Sequence, residues 1–558
     1  MFSPNTNERH AMKFTRSMVL VSNDPESMRK GAAEVYARFQ EELAAYGLTE
    51  EISLSQLAGV ERADALPMVV IYPEASAYGP VTPDKVKRIV EEHLYKGRVV
   101  EDLLIPIKEL SGQIGWLKAR KGTMPMEKRI VLRRAGRIDP ENIEDYIAED
   151  GYQALAKALG QTPMQVIDEL EKSGLQGRGG AGFPTGRKWR FVAGTKSQKK
   201  YVVCNADESE PGTFKDRVIL EGDPHSIIEA MSIAAYSVGA DEGYIYVRGE
   251  YKLAQDRLEK AIAQAREFGL LGKNILDSGF NFNIHVHSGA GAYVCGEETA
   301  LLESIEGKRG EPRARPPYPT THGLWGKPTL INNVETLANI SPIILNGSAW
   351  FRSIGTPSSP GTKVYTILGN VNFKGLIEVP MGITLREVIN IYGQGMKDGA
   401  TINLKMAQTG GSSGSIIPSS LRDTPMDFES YRKAGVSLGS GALLICDQKT
   451  CVVDLATTLL KFFRTESCGK CTPCRVGTER ALRILTAISE GQGQLSDLDT
   501  LAALADEMEY ASNCGLGQTA GAPIRDMLKH YRAETEAHIR LGVCPAGVCT
   551  MAAEIEMA

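Results

Sequence analysis

Gly177-Arg178-Gly179-Gly180-Ala181-Gly182 is a literal match to G-x-G-x-x-G. The pattern belongs to dinucleotide-binding folds only where it follows a strand and opens a helix. Here a helix-patterned stretch, Met164–Lys172, precedes it, and Pro184 stands two residues beyond its end. The ordinary Rossmann reading therefore fails on context. The chemistry of the loop survives that failure. Glycines let backbone N–H groups approach an anion or a flat ring at distances that side chains forbid. Arg178, Arg187 and Lys188 add positive charge, and Phe183 and Trp189 flank the loop.

Working outward, three further polar segments follow. The run Tyr201–Cys204 reads as a strand ending in Asn205, Asp207, Glu208 and Glu210. Polar groups at the carboxyl end of a strand are where α/β folds bind ligands. A second segment holds Tyr293, Cys295, Gly296, Glu297 and Glu298, and a third holds Asn332, Asn333 and Thr336. Taken singly, each could be a helix cap on a solvated face. Alternating strand and helix patterns surround them, which predicts an α/β nucleotide-binding domain over residues 130–359. It opens with helices over Pro140–Leu159 and Pro163–Lys172, the second stopped by Gly174.

On the N-terminal side, residues 1–15 read as a leader without the apolar core of a signal peptide. Residues 16–111 carry two strand-like runs, Met18–Val21 and Met68–Tyr72. Two helices follow the same pattern, one near Glu26–Tyr46 and one that Thr82 and Pro83 open and that runs to Tyr95. That is a small α/β domain, joined by a polar linker over 112–129. On the C-terminal side, residues 360–445 are glycine-rich, with strand-like runs Lys363–Leu368 and Ala442–Ile445 and one helix near Leu385–Tyr392. Residues 446–531 have helical periodicity over Val452–Arg464, Arg475–Ser489, Leu495–Tyr510 and Ile524–Tyr531, which predicts a four-helix bundle. A tail, 532–558, remains. The whole is a multidomain α/β chain.

The 558 residues are 42% hydrophobic and 23% charged, with a net charge of -5. That balance is ordinary for a globular protein and does not suggest a nucleic-acid partner. No run of about 18 apolar residues offers a membrane span. Seven of the ten cysteines lie from Cys451 onward. Such clustering points to metal chemistry in a reducing compartment, hence a cytoplasmic protein. Cys468, Cys471 and Cys474 form C-x2-C-x2-C, and Cys514 supplies a fourth thiol. Four thiolates suit zinc or an iron–sulfur cube, and a triple run plus one distant cysteine is the cluster pattern. Lys470 and Arg475 are placed to ease a cluster's negative charge. Cys451, Cys544 and Cys549 are left over. With His538 they make one imidazole and three thiolates, a usual set for closed tetrahedral zinc. Cys451 opens the first bundle helix and the others follow the last, so an antiparallel bundle brings them together.

These segments, in this order, resemble the NADH-binding flavoprotein subunit of respiratory complex I and its relatives in NAD-linked and bifurcating hydrogenases and formate dehydrogenases. The resemblance runs from about residue 130 to 535. It implies FMN held by Gly177, Arg178, Gly179, Gly180, Lys188, Asn205, Asp207, Tyr293, Gly296, Glu297, Asn332, Asn333 and Thr336. It implies NADH contacting Phe183, Lys188, Phe191, Glu210, Glu298, Arg315 and Tyr318; complex I members often carry Lys and Phe at the last two positions. It makes the four-cysteine site [4Fe–4S], the α/β domain Rossmann-like and residues 360–445 β-grasp-like. Residues 16–111 resemble a thioredoxin-like [2Fe–2S] domain, with Ser22, Ser27, Gly59 and Ala63 where that pattern has its cysteines. The fold is expected without its cluster. Expected partners are a thioredoxin-like [2Fe–2S] subunit and a further iron–sulfur or catalytic redox subunit. The expected activity is hydride transfer between NAD(H) and FMN, then one-electron transfer through the cluster. The other reading is a catalytically silent docking scaffold for other redox subunits.

Overall fold

The structure, a computed structural model, describes residues 16–23, 25–49, 51–57, 65–72, 76–105, 128–397 and 404–553. Two compact units divide the chain, Met1–Gly122 and Thr123–Ala558.

The first unit is built on five strands: β1 (Ser17–Ser22), β2 (Ile52–Leu57), β3 (Val69–Tyr72), β4 (Ser76–Tyr78) and β5 (Leu104–Ile105), in the order β2-β1-β3-β4-β5. Only the β1–β2 pair is parallel. Val19 and Val21 alternate inward from β1 and meet Val35 and Phe39 of the helix Ala32–Ala45. The sequence reading missed β2, whose serines and glutamine obscure its apolar alternation. Ser22 and Ser27 are buried, and the Ser22 hydroxyl accepts a hydrogen bond from the Met68 amide at 2.9 Å. That hydroxyl thus has an internal structural role. Gly59, Ala63 and the linker core lie outside the described residues.

The second unit holds two sheets and a helical region. Its first sheet is all parallel, β8-β7-β6-β9, from β6 (Tyr201–Ala206), β7 (Glu242–Val247), β8 (Asn283–Ser288) and β9 (Thr329–Asn333). Val202 and Cys204 of β6 point into the core made with the buried helix Pro224–Val238, while Val203 faces the other way. That second face continues into the helical region, where Val203, Ile331, Leu301, Val453 and Leu460 share one core. The second sheet is mixed, β11-β10-β14-β12-β13, from β10 (Thr362–Gly369), β11 (Gly375–Pro380), β12 (Leu404–Thr409), β13 (Ile416–Pro418) and β14 (Ala442–Asp447). A buried ionic network joins the two sheets. Lys363 of β10 meets Glu335, just past β9, at 2.6 Å, and Lys215 meets the same carboxylate at 3.1 Å.

Two local readings need correction. The stretch read as one helix over Pro140–Leu159 is two, Ile143–Ala148 and Gln153–Leu159. Asp150 and Tyr152 take positive φ between them, and Gly151 lies against Tyr146 too closely for a side chain. Among the described residues, the helical region has six α-helices after residue 450: Val452–Glu466, Thr472–Ser489, Leu495–Ala511, Gly515–Ala520, Ala522–His530 and Arg532–Arg540, followed by a 3-10 turn at Thr550–Ala553. Gly515–Ala520 was hidden because Gly515 and Gly517 have poor helix propensity. The helix Arg532–Arg540 reads as tail in the sequence because only Thr535 and His538 of its residues are buried, which leaves no apolar stripe.

Candidate functional site

The glycine loop hangs between two helices, Pro163–Ser173 and Thr185–Gly194. Thr162 and Gln165 cap the first in a reciprocal box, and Gly174 ends it at φ +72°. A bridge between Gln176 and Pro184 closes the loop, with the Gly177 amide donating to the Phe183 carbonyl at 2.8 Å. The loop therefore enters and leaves at one point and lies over the carboxyl ends of β6 and β9.

Two cavities meet beneath it. The inner one, about 450 Å³, is walled by Gly179, Gly180, Asn205, Asp207, Glu210 and Tyr293, with Gly296, Glu297 and Asn333. The outer one, about 660 Å³, is walled by Gly177, Phe183, Lys188, Phe191, Glu298 and Arg315, with Tyr318, Asn332 and Thr336. Gly179, Asn205, Gly296, Glu297 and Asn333 line both, so the two are continuous. Phe183, Phe191 and Tyr318 are 41%, 46% and 56% exposed, presenting aromatic faces at the outer mouth. Glu210 lies apart from them, on the inner wall. Its carboxylate accepts from the Ser413 amide at 2.7 Å and from the Tyr293 hydroxyl at 3.4 Å. Gly411 lets this happen, because a Cβ there would stand 2.1 Å from Glu210 Cγ.

Arg178 is the exception among the anticipated residues. It lines neither cavity. Its guanidinium is fully buried and donates to the carbonyls of Thr362 at 3.0 Å and Pro360 at 2.7 Å, and its amide donates to Thr336 Oγ1. Its side chain binds the loop to the mixed sheet; it does not supply charge to a ligand. Sequence reasoning missed wall residues from other segments: Lys215, Asp216, Ser413, Ser440 and Leu516. Ser413 and Ser440 sit in Gly-Ser runs that read only as loops, whereas Glu208, also on the wall, stood in the strand-end cluster but was given no ligand.

The inner wall is acidic, and its carboxylates are largely buried. Burial pushes the Asp207 carboxyl up to about 7, against the pull of Ser209 and Arg248. Burial, then the neighbouring Asp216, pushes Glu208 up to about 8. Asp207 Oδ2 is buried without a hydrogen-bond partner, and so is Glu297 Oε1, which faces Arg315 at 3.5 Å. Such acceptors call for donors from a ligand. A flavin ring, with its imide N–H, and a ribityl chain, with its hydroxyls, are donors of that kind. The joined cavities have the size of cofactor sites, and the glycines leave a flat approach. The residues present fit FMN.

The cysteine site adjoins this wall. Cys471 caps the helix Thr472–Ser489, Cys474 lies in its first turn, and Cys514 caps the helix Gly515–Ala520, whose Leu516 faces the inner cavity. Cys474 and Cys514 are buried; Cys468 and Cys471 are partly exposed. Burial first, then negative charge on Cys471, Cys514 and Cys468, pushes the Cys474 thiol up to about 11. Cys474 and Cys514 belong to one packed cluster, with Cys468 and Cys471 against it, and helix N-termini favour the anionic cluster that thiolates would hold there. Lys470 and Arg475 are both tied to backbone carbonyls beside or within the cysteine loop. Lys470 donates to the Pro312 carbonyl at 2.9 Å and Arg475 to the Gly469 carbonyl at 2.6 Å.

Residues 170–342 match the family model described as the Nuo51 FMN-binding domain. Residues 454–538 match the NADH-ubiquinone oxidoreductase-F iron–sulfur binding region. The F 2 subunit of the NADH-quinone oxidoreductase of Rhizobium meliloti is 49% identical over 421 residues, 75% of this chain and 100% of that protein. The chain belongs to the oxidoreductase-F family of NADH-quinone oxidoreductase subunits. A relative from a different kind of complex is the NADP-reducing hydrogenase subunit HndC of Solidesulfovibrio fructosivorans. It is 52% identical over 428 residues, 77% of this chain and 87% of that one. Among solved structures, an NAD+-reducing [NiFe]-hydrogenase in the H2-reduced state matches with a TM-score of 0.65 and 31% identity, over 94% of this chain and 84% of that one. Membership of the oxidoreductase-F family accounts for the flavin site and the four-cysteine site together.

Proposed function

We propose that this oxidoreductase-F chain oxidises NADH and passes the electrons onward to partner redox subunits. The observation that carries the reading is an aromatic outer cavity continuous with a glycine-lined inner cavity, which a four-cysteine site adjoins at Leu516. When bound, FMN accepts hydride from the nicotinamide and releases electrons singly to a [4Fe–4S] cluster. The chain's own residues supply position and enclosure. Phe183, Phe191 and Tyr318 offer stacking faces for the adenine, Lys188 and Arg315 offer charge, and Gly177, Gly179 and Gly180 admit the ring. Asn205, Asp207, Glu297, Asn332, Asn333 and Thr336 orient it. Holding two rings face to face removes entropy from the barrier. The silent-scaffold reading is disfavoured, because a scaffold has no need of converging glycines, acids and thiols. In this reading residues 16–111 are thioredoxin-like, 130–359 Rossmann-like, 360–445 β-grasp-like and 446–531 a helical bundle. The partners are a thioredoxin-like [2Fe–2S] subunit and a further iron–sulfur or catalytic subunit, in the cytoplasm. No helix among the described residues is long and apolar enough to cross a membrane.

Two measurements test this. Purified protein should contain FMN and four iron atoms per chain, the content named for its iron–sulfur family. Cys514→Ser should lower the iron while leaving the flavin. Full iron in that variant removes Cys514 from the site. Second, we assign Glu210, on the inner wall, to the ribose of a dinucleotide that reaches inward from the outer mouth through the continuous cavities. A carboxylate there accepts from a 2′-hydroxyl and repels a 2′-phosphate. Glu210→Gln should narrow the NADH-over-NADPH ratio of kcat/KM by about tenfold, some 1.4 kcal/mol. An unchanged ratio assigns the discrimination elsewhere.

The second metal site belongs to the same proposal. Cys451, His538, Cys544 and Cys549 are all buried, and their ligand atoms lie within 4.8 Å of one another. Cys451 Sγ is 3.6 Å from Cys549 Sγ and 3.3 Å from His538 Nε2, which is 3.5 Å from Cys549 Sγ. Ordinary zinc bond lengths in a tetrahedron put two sulfurs about 3.8 Å apart, and a sulfur and a nitrogen about 3.5 Å apart. His538 Nδ1 faces the Glu534 carbonyl at 2.8 Å, which leaves Nε2 for the metal. We assign these four residues to zinc.

A further inference from the structure

The flavin turn and the cluster ligand loop are joined by one side chain. Glu466 is the last residue of the helix Val452–Glu466, two positions before Cys468. Its carboxylate accepts from the Tyr293 amide at 3.0 Å. One helical turn earlier, the Phe462 ring meets the Tyr293 ring edge-on, centroids 5.0 Å apart. Tyr293 lines the inner cavity and reaches Glu210 through its hydroxyl. Two further ties bind the same loop to the stretch 309–312: Arg309 donates to the Cys468 carbonyl at 2.7 Å, and Lys470 to the Pro312 carbonyl. Those ties lie away from the cavity wall. The Glu466 contact runs directly from the wall residue Tyr293 to the segment that carries Cys468, whereas Cys514 adjoins the wall through its own chain at Gly515 and Leu516.

We propose that Glu466 is a positioning residue for electron transfer: it fixes the separation between the flavin-facing Tyr293 turn and the Cys468 ligand loop. The inference rests on the flavin and cluster assignments above. Its physical basis is geometric. The rate of electron tunnelling falls steeply with donor–acceptor distance, whereas the nucleotide side is reached by the Tyr293 hydroxyl through Glu210, and Glu466 holds only the Tyr293 backbone amide. Loosening the Glu466 contact should therefore slow one step and spare the other. A hydrogen bond to a carboxylate is among the stronger ones, and a displacement of an ångström far from the chemistry can cost about a hundredfold in rate.

The test uses the full chain with its cofactors. Wild type, Glu466→Ala and Glu466→Gln are assayed first for FMN and iron. Amide hydrogen exchange is then followed in the peptide containing Tyr293. Stopped-flow mixing with NADH follows flavin reduction and cluster reduction separately. Glu466→Ala should keep both cofactors, lose exchange protection at Tyr293 and reduce the cluster about tenfold more slowly at an unchanged rate of flavin reduction. Glu466→Gln, which retains an acceptor oxygen, should restore both readouts. Wild-type cluster kinetics in the alanine variant, or a glutamine variant no better than alanine, overturns the proposal. Should alanine cost the cluster itself, Glu466→Gln against the shorter Glu466→Asp decides: Gln near wild type and Asp slow supports it, and equal rates overturn it. Wild type lacking FMN or iron instead overturns the cofactor assignments.

Discussion

Replacing Gly180 with tryptophan should leave a folded protein that no longer binds FMN. Gly180 lines the inner cavity at φ +120°, a conformation side chains rarely adopt. A Cβ there would meet the Gly439–Ser440 backbone at about the distance of ordinary contact, 3.5 Å from Gly439 C. The backbone conformation alone costs about 1–3 kcal/mol, and an indole has nowhere to go except the cavity. The cost falls on a surface loop and not on a core. The helices that carry the cysteines pack through Leu460, Leu485, Leu501 and Ile524, none of which lines the cavity. Flavin absorbance in the purified variant should fall to background while iron content and the helical circular-dichroism signal persist. Retention of full flavin would remove the loop from the site.

What the sequence disclosed about this site follows from how each residue announces itself. Phe183, Lys188, Asn205, Asp207 and Asn333 were legible because they sit at strand ends or beside a glycine run, where polar residues have few structural duties. Arg178 was misassigned for the opposite reason. It occupies the motif, but its guanidinium satisfies backbone carbonyls around β10 that no local pattern foretells. Ser413, Ser440 and Leu516 come from segments more than 200 residues away from the glycine loop. Only the packing of the mixed sheet and the short helix Gly515–Ala520 against the parallel sheet brings them in. The fold shows the same division. Parallel strands with continuous apolar runs, such as Tyr201–Cys204, were visible. β2, with Ser53, Ser55 and Gln56, was not, because it sits at the edge of its sheet, where few apolar residues are required.

The double variant Cys544→Ser, Cys549→Ser should lose its zinc and release the C-terminal tail while keeping FMN and iron. The site is made of residues far apart in sequence and joined by charge as well as by thiols. Glu534, one turn before His538, accepts from the Val452 amide at 3.1 Å and pairs with Lys405 of β12 at 2.7 Å. Lys405 also donates to the Thr450 carbonyl, next to Cys451. The metal would thus pin the tail to the start of the first bundle helix and to the mixed sheet at once. Past His538 the tail has little apolar surface of its own to bury: Leu541, Val543 and Val548 are exposed, and among the described residues only Cys544, Cys549 and Met551 are buried there. Its order therefore depends on the ligands more than on a core. Structural zinc in small domains contributes about 10–16 kcal/mol of apparent binding energy. Much of that appears here as local order, because the helix Arg532–Arg540 is already held by the Glu534 contacts and by the burial of Thr535. Elemental analysis of wild type should find about one zinc per chain, the stoichiometry of a closed four-ligand site. In the double variant the zinc should vanish, limited proteolysis should cut beyond residue 540, and iron should be unchanged. Protein prepared without chelator and found free of zinc, or a double variant that retains it, would remove this metal from the tail.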